Sequence, residues 1–344
     1  MSLASRPLPS STLPPQVLCL GEALVDRLGP LGGDPATELP WDDHLGGAPA
    51  NVACALARLG TPCAFVGRLG RDGIGQEFAK LFAERGVDTR ALQWDGTRPS
   101  RIVLVRRDAD GDRQFGGFAG DRGDGFADQA LDPSALSAAL GPLLATARWL
   151  LVGTIPLASP AAAAALKLVC RQAAAAGMPL ALDVNWRPTF WDPAADPASG
   201  PTRAQIDAIA PLLQQASLIK CAAEEARWLF GSDDPAVVCA ALPQHPNVVV
   251  TDGGAPLRWC FAGRSGELQA FRVPVVDTTG AGDAFTAGLL HGLLLDQVQG
   301  ASAIQPEALL RFASACGALV CQGAGAINPQ PSAEAVQYFL ARQA

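Results

Sequence analysis

Lysine is scarce in this 344-residue chain: Lys80, Lys167 and Lys220 are the whole supply, and the formal net charge is −7. A nucleic-acid surface or an anionic membrane needs a basic cluster, so neither is an expected partner. No Gly-Lys-Ser/Thr occurs, which excludes a Walker-type phosphate loop, and no His-Glu-x-x-His occurs. His44, His245 and His291 are scattered and read as surface or internally satisfied residues. In Gly70-Arg71-Asp72-Gly73-Ile74-Gly75 the glycines are misplaced for a dinucleotide fingerprint. No apolar run reaches the roughly 18 residues of a membrane span. The nine cysteines include no C-x-x-C pair, and Cys19, Cys54 and Cys170 sit inside apolar runs. They read as reduced, buried thiols of a cytoplasmic protein. Residues 1–16 lack the apolar core of a signal peptide and are expected to form a disordered tail.

What is present is a globular composition, 49% apolar and 17% charged, with a regular rhythm. Val17–Leu20 and Cys63–Gly67 read as strands. Ala48–Leu59 and Ile74–Arg85 read as helices, each closed by a glycine suited to the left-handed position. Arg101–Arg106 and Arg113–Phe118 are predicted strands joined by the turn signal Asp108–Asp112. Helices over 132–145, 161–176 and 203–215 then alternate with strands Trp149–Val152, Leu180–Val184 and Leu218–Lys220. A short helix at 223–230 and the strand Val248–Thr251 follow. Trp259–Phe261 and Leu268–Val273 are expected as an antiparallel edge, and helices over 281–295, 306–321 and 332–341 finish the chain. The alternation implies a mostly parallel sheet with helices on both faces and a ligand cleft at the carboxyl ends of the strands. The hairpin at 99–119 interrupts it and is expected to project as a lid.

Two segments carry chemistry. In Asp277-Thr278-Thr279-Gly280-Ala281-Gly282-Asp283 a Gly-Ala-Gly turn enters an apolar helix. Free backbone N–H groups, missing Cβ atoms and the helix dipole make such a turn an anion hole for a phosphoryl group without a Walker lysine. Asp283, in the first turn, suits a general base for a hydroxyl, or a plain helix cap. In Gly46-Gly47-Ala48-Pro49-Ala50-Asn51 a glycine pair permits close approach of a ligand, and the Asn51 amide can pair with hydroxyls; the alternative is an ordinary turn.

Together these signatures resemble the ribokinase-like (PfkB) carbohydrate kinases, most closely the bacterial fructokinase branch, from about residue 17 to 340. Supporting segments are Gly21-Glu22-Ala23-Leu24-Val25-Asp26, Gly67 through Gly75, Asp183-Val184-Asn185-Trp186-Arg187 and Gly325-Ala326-Ile327. The resemblance implies a three-layer α/β/α sandwich over residues 17–344 with lid segments near 28–42 and 97–120. It implies Asp283 as catalytic base, with Gly280, Ala281 and Gly282 as the anion hole. Asp26, ending the first strand pair, and Gly46, Gly47, Asn51, Asn185 and Arg187 are implied on the sugar side. For Arg187 an ion pair with Asp183 is the alternative. Lys220, Thr251, Gly253 and Gly254 are implied on the nucleotide side. Glu225 is implied to organise Mg²⁺ through water, and Asp277 and Thr279 to serve K⁺ where that ion is used. One position departs from the pattern: Ala222 stands where the family usually has Asn or Ser, removing a polar partner from the Mg²⁺ side.

The implied reaction is ATP-dependent phosphorylation of a sugar. Asp183-Val184-Asn185-Trp186-Arg187, with Trp191 following, and the Gly-Glu opening favour fructose. Ribose, 2-keto-3-deoxygluconate and nucleosides remain open, since the lid stretch Arg113–Asp128 keeps Arg122, Ala127 and Asp128 but is rich in glycine. A non-catalytic sugar- or nucleotide-binding regulator is the reading of another class; intact Asp283 and Gly280–Gly282 speak against it. Lid strands of the family often pair between subunits, so a homodimer through the lid is one implied assembly.

Overall fold

Two helices show how local sequence sets this architecture. Pro49 opens helix Ala48–Leu59, and Gly60, at φ 91°, closes it with its N–H on the Ala57 carbonyl. Asp72 caps helix Gly73–Arg85 by accepting the Gly75 N–H at 2.8 Å, and Gly86 closes it in the same left-handed way. The apolar faces of both, including Val52, Leu56, Phe78 and Phe82, are buried. The computed structural model describes residues 13–107, 113–299 and 305–343. Residues 1–12 of the expected tail and the turn Asp108–Asp112 lie outside the described residues. Gln16, also assigned to that tail, is in fact bonded to the body through Pro62 and Arg148.

The strands are β1 (Val17–Leu20), β2 (Leu24–Leu31), β3 (Asp42–Gly46), β4 (Cys63–Gly70), β5 (Leu92–Asp95), β6 (Arg101–Arg107) and β7 (Arg113–Ala119). They continue with β8 (Trp149–Val152), β9 (Leu180–Asp183), β10 (Ala216–Ala222), β11 (Asn247–Thr251), β12 (Leu257–Phe261) and β13 (Arg264–Leu268). Nine form one sheet in the order β13-β12-β11-β10-β9-β8-β1-β4-β5. Neighbouring strands pair in parallel except at β11–β12 and β12–β13, so β12 alone runs against the rest. Strands covered on both faces read as continuous apolar runs, as Val17–Leu20 and Trp149–Val152 do. One core lies between the sheet and helices Ala48–Leu59, Gly73–Arg85, Ala281–Gln299, Pro306–Val320 and Ala333–Ala341. The other lies beneath helices Pro133–Leu144, Pro160–Ala175, Arg203–Gln215, Ala223–Phe230 and Pro235–Ala240. The result is three layers, α/β/α.

A second sheet, in the order β3-β2-β6-β7, is built from the two segments expected as a lid. The β6–β7 hairpin appears close to its predicted bounds, whereas β2, β3 and β5 were absent from the sequence reading. The expected strand Leu268–Val273 is corrected to Arg264–Leu268, paired antiparallel to β12. Asp26 does not end a strand pair: it sits inside β2, opposite His44 on β3 and Val103 on β6. Strand order reverses between β1 and β8, and the crevice opens there at the carboxyl ends.

Candidate active site

A cleft of about 530 Å³ opens at that crevice, between the carboxyl ends of the main sheet and the four-stranded sheet. Glu22, Asp26, Gly47, Asn51, Asn185, Arg187, Lys220, Gly280, Gly282 and Asp283 all line it. Residues from opposite ends of the chain thus meet in one volume large enough for a sugar and a phosphate chain.

On one wall, Gly47 adopts φ 96°, and a Cβ there would stand 2.7 Å from the Glu22 carbonyl, so the turn into helix Ala48–Leu59 requires glycine. Asp26 points back at Gly46, whose missing Cβ would lie 2.9 Å from Asp26 Oδ2. Asn51 is buried in the first turn; its Nδ2 donates to Asp283 Oδ2 at 2.7 Å. Its Oδ1 is buried without a partner, an acceptor awaiting a donor, and buried polar groups seldom go unpaired. The Asn51 carbonyl accepts from the buried amide of Gln330 at 2.9 Å, so the last loop of the fold braces this turn.

On the opposite wall, Gly280 has φ 77°, and a Cβ would clash with Ala326 at 2.5 Å. The Ala284 N–H closes on the Gly280 carbonyl at 2.9 Å. Ala281 differs from expectation as an anion-hole donor: its N–H is turned to the Thr278 carbonyl at 3.2 Å. The peptides of Gly282 and Asp283 lie between those two bonds, at the positive end of helix Ala281–Gln299. Asp277 ties the turn together: Oδ1 accepts from Thr279 N and Oγ1 at 2.9 and 2.7 Å, and Oδ2 accepts the Gly325 N–H at 2.8 Å.

Burial, followed by the nearby negative charge of Asp183, pushes the Asp283 carboxyl up to about 6; the Asn51 amide, Lys220 and Arg187 pull the other way. That places its titration near neutrality, where a general base is effective.

Arg187 is not paired with Asp183, the alternative raised from sequence. It is exposed at the cleft and donates to the Trp186 carbonyl at 2.8 Å, while Asp183 is held by Lys220. Asn185 sits at φ 43°, a left-handed conformation that asparagine tolerates. Trp191 packs on Trp186, ring centres 5.6 Å apart, and supports this loop from outside the cleft lining.

Glu225 is buried, and its two oxygens accept the N–H groups of Trp186 at 2.6 Å and Ala222 at 2.7 Å. The backbone of Ala222 therefore contributes a contact that its side chain cannot. Thr251, Gly253 and Gly254 lie outside the cleft lining, at the end of β11 and in the turn after it; Thr251 Oγ1 reaches the Cys221 carbonyl at 3.4 Å. Among the described residues no three His, Cys, Asp or Glu side chains converge as a metal cage. Glu225 and Asp183 are the acidic side chains that would serve a divalent ion here, and since their oxygens already accept from backbone N–H groups and from Lys220, they would do so through water.

Two features escaped the sequence reading as site residues. Glu22 is 3% exposed, lines the cleft, and accepts the Ala48 N–H at 3.1 Å. Burial, with the charges of Asp128 and Asp283, pushes its carboxyl up to about 8 against opposing backbone hydrogen bonds. A Gly-Glu pair at the end of an apolar strand was the available signal. Arg101, 3% exposed, pairs with Asp128 at 2.9 Å amid the rings of Phe118, Phe126 and Phe190; nothing local in sequence marks it.

The profile of the pfkB family carbohydrate kinases matches residues 14–333. A fructokinase of Klebsiella pneumoniae is 34% identical over 333 residues, covering 94% of this chain and 99% of the relative. The crystal structure of a fructokinase with bound ATP from Xylella fastidiosa shares 30% identity at a TM-score of 0.77, covering 95% of this chain and 98% of that one. A fructokinase from Vibrio cholerae O395, in fructose, ADP and calcium ion bound form, shares 26% identity at a TM-score of 0.75, covering 95% and 99%.

Proposed function

The chain belongs to the pfkB family of carbohydrate kinases, with a ribokinase-like fold, and from that premise we propose that it phosphorylates fructose, with Asp283 as the general base. It is an ATP-dependent sugar kinase. One observation carries the assignment of the base: the Asp283 carboxylate is 2.7 Å from the Asn51 amide and lies in the first turn of the helix that opens on the same cleft. The hydroxyl-binding wall and the anion-binding turn are thereby within one reactant's reach.

In the proposed reaction the sugar hydroxyl rests among Asn51, Asp26 and the Gly46–Gly47 turn. As its oxygen bonds to the γ-phosphorus, its proton passes to Asp283 and the bond to the ADP oxygen breaks. The peptides at Gly282 and Asp283 hold charge on the phosphoryl oxygens, and Arg187 supplies an exposed positive charge from the rim. When bound with ATP, Mg²⁺ neutralises phosphate charge. Asp277, Thr279 and the Gly325 peptide form the loop that we assign to a monovalent cation, K⁺. The four-stranded sheet acts as the lid, excluding water that would otherwise accept the phosphoryl group. Its outer strands, β3 and β7, are where a second copy would pair.

Fructose is supported by the named substrates of the relatives. The cytoplasmic assignment is supported by nine free cysteines and by the lack, among the described residues, of a helix long and apolar enough to cross a membrane. The test is an ATP-consumption panel over fructose, ribose, 2-keto-3-deoxygluconate, glucose and adenosine, with and without K⁺. Fructose is expected to give the highest kcat/KM; a better acceptor in the panel would replace it.

A further inference from the structure

Lys220 and Asp183 face each other on neighbouring strands. The β9–β10 register sets them side by side, with the Lys220 ammonium 3.1 and 3.0 Å from the two Asp183 oxygens. Asp183 is in turn held by a residue from another element. Thr286, in the second turn of helix Ala281–Gln299, has its hydroxyl 2.9 Å from Asp183 Oδ2 and 3.0 Å from the Gly282 carbonyl. The chain of contacts then returns to its start, since a Cβ built on Gly282 would stand 3.0 Å from Lys220 Nζ. Helix, carboxylate and ammonium form a closed ring around the anion-binding turn.

We propose that Thr286 and Asp183 are positioning residues that fix the Lys220 ammonium beside Gly282, where it meets the phosphoryl group in transfer. A lysine stem has four rotatable carbons, and its charge is useful in a transition state only where it is already placed. The two oxygens of Asp183 occupy two of the three ammonium N–H groups. The third remains for a group in the cleft, which Lys220 lines together with Gly282 and Asp283. Burial by itself would lower the lysine pKa, but Asp183, Glu225 and Asp283 outweigh it and raise it, so the ammonium stays charged. Thr286 acts at a distance from the reacting atoms: its single proton bridges the carboxylate and the backbone of the turn.

The inference rests on the kinase reading, and the experiment separates the two. Thr286→Val removes the hydroxyl at nearly constant shape, and Thr286→Ser restores it. With ATP and fructose, Thr286→Val is expected to lower kcat about tenfold, as loss of one charge-assisted hydrogen bond would. The sugar KM should stay within about twofold, since the bond serves the transition state, and serine should recover most of the rate. Lys220→Met is expected to cost on the order of 10²-fold. In that background Thr286→Val should cost nothing more, because the group it positions is gone. If the Lys220 variant does not fold, Asp183→Asn combined with Lys220→Met removes both charges of the pair together and takes its place. Equal losses from Thr286→Val in both backgrounds would overturn the proposal. If the wild-type chain phosphorylates no sugar, the kinase reading fails, and calorimetric binding of ATP and adenosine decides the inference alone. Thr286→Val and the Lys220 variant should then weaken ATP and spare adenosine; unchanged ATP affinity in both would refute it.

Discussion

The Asn51 side-chain amide donates to Asp283 Oδ2 at 2.7 Å, joining residues 232 positions apart in sequence. The bond favours the ionised carboxylate, whereas burial and the charge of Asp183 favour the protonated one, and the balance stands at about 6. The acidic limb of kcat/KM should therefore fall near pH 6 in the free enzyme. Asn51→Leu removes the only one of these influences that is a direct hydrogen bond, and should move that limb upward. A limb that stays in place would detach Asn51 from the ionisation of the base.

Asp283→Asn should fold and lose roughly 10²–10⁴ in kcat. Its stability should carry the complementary signature. The folded pKa of Asp283 lies above the ordinary value of 3.8, so the native state holds the proton more tightly than the unfolded chain. Wild-type stability thus declines as pH rises from about 4 to about 6 and stays lowered above that. The Asp283→Asn variant lacks this decline, so its melting temperature should match or exceed wild type at pH 8 and converge with it near pH 4. A variant less stable at pH 8 would show that the carboxylate serves as a helix cap.

Glu22→Gln tests a carboxyl pushed up to about 8, already protonated at neutral pH. Glutamine keeps an oxygen for the Ala48 N–H, so activity and melting temperature near pH 7 should change little. The raised pKa means that wild-type stability falls as pH climbs from about 4 through 8, whereas the variant should be flat over that window and more stable near pH 9. Loss of most activity at pH 7 would mean that Glu22 works as an anion.

Gly280→Ala places a methyl group 2.5 Å from Ala326 Cβ at a residue with φ 77°. The turn must shift, and with it the peptides facing the phosphoryl group. The variant should lose at least about tenfold in kcat/KM while keeping its helical circular dichroism. Near-native kinetics would dissociate this turn from phosphoryl transfer.

Arg101→Met takes away the guanidinium that lies over the rings of Phe118, Phe126 and Phe190 and strands the buried carboxylate of Asp128. Breaking one side of such a pair costs about 3–5 kcal/mol, and adding Asp128→Asn should recover much of the loss. Equal stability of the single and double variants in urea melts would contradict the burial argument.

How much of this was legible before the structure depends on the element. Helices Ala48–Leu59 and Gly73–Arg85 announced themselves because apolar spacing and a left-handed glycine agree at each. Strand β2 was hidden: its charged and Gly-Pro-containing run, Asp26-Arg27-Leu28-Gly29-Pro30, breaks the alternation by which strands are recognised. Leu268–Val273 carries more apolar residues than Arg264–Leu268, yet the latter holds the edge because its pairing with β12 is backbone-made. In the cleft, Gly47, Asn51, Gly282 and Asp283 were visible as motifs because each needs a fixed local spacing. The Lys220–Asp183 pair and the Arg101–Asp128 pair were not, since register between strands and the packing of distant rings have no local sequence counterpart. In the sequence Asp183 is one residue of a motif, with an ion pair to Arg187 as the alternative reading of that arginine, whereas the register assigns it to Lys220.

The amide of Gln330 grips the Asn51 carbonyl across 279 positions, and Asp283 meets the same residue from 232 positions away. During synthesis, the amino-terminal portion emerges first. Helix Ala48–Leu59, which carries Asn51, shares its core with helix Ala281–Gln299, so the sugar wall lacks its packing partner while the phosphate-binding turn is still inside the ribosome. The nascent chain thus has no assembled means of spending ATP, and catalytic competence arrives late, with the closing loop that locks Asn51 in place.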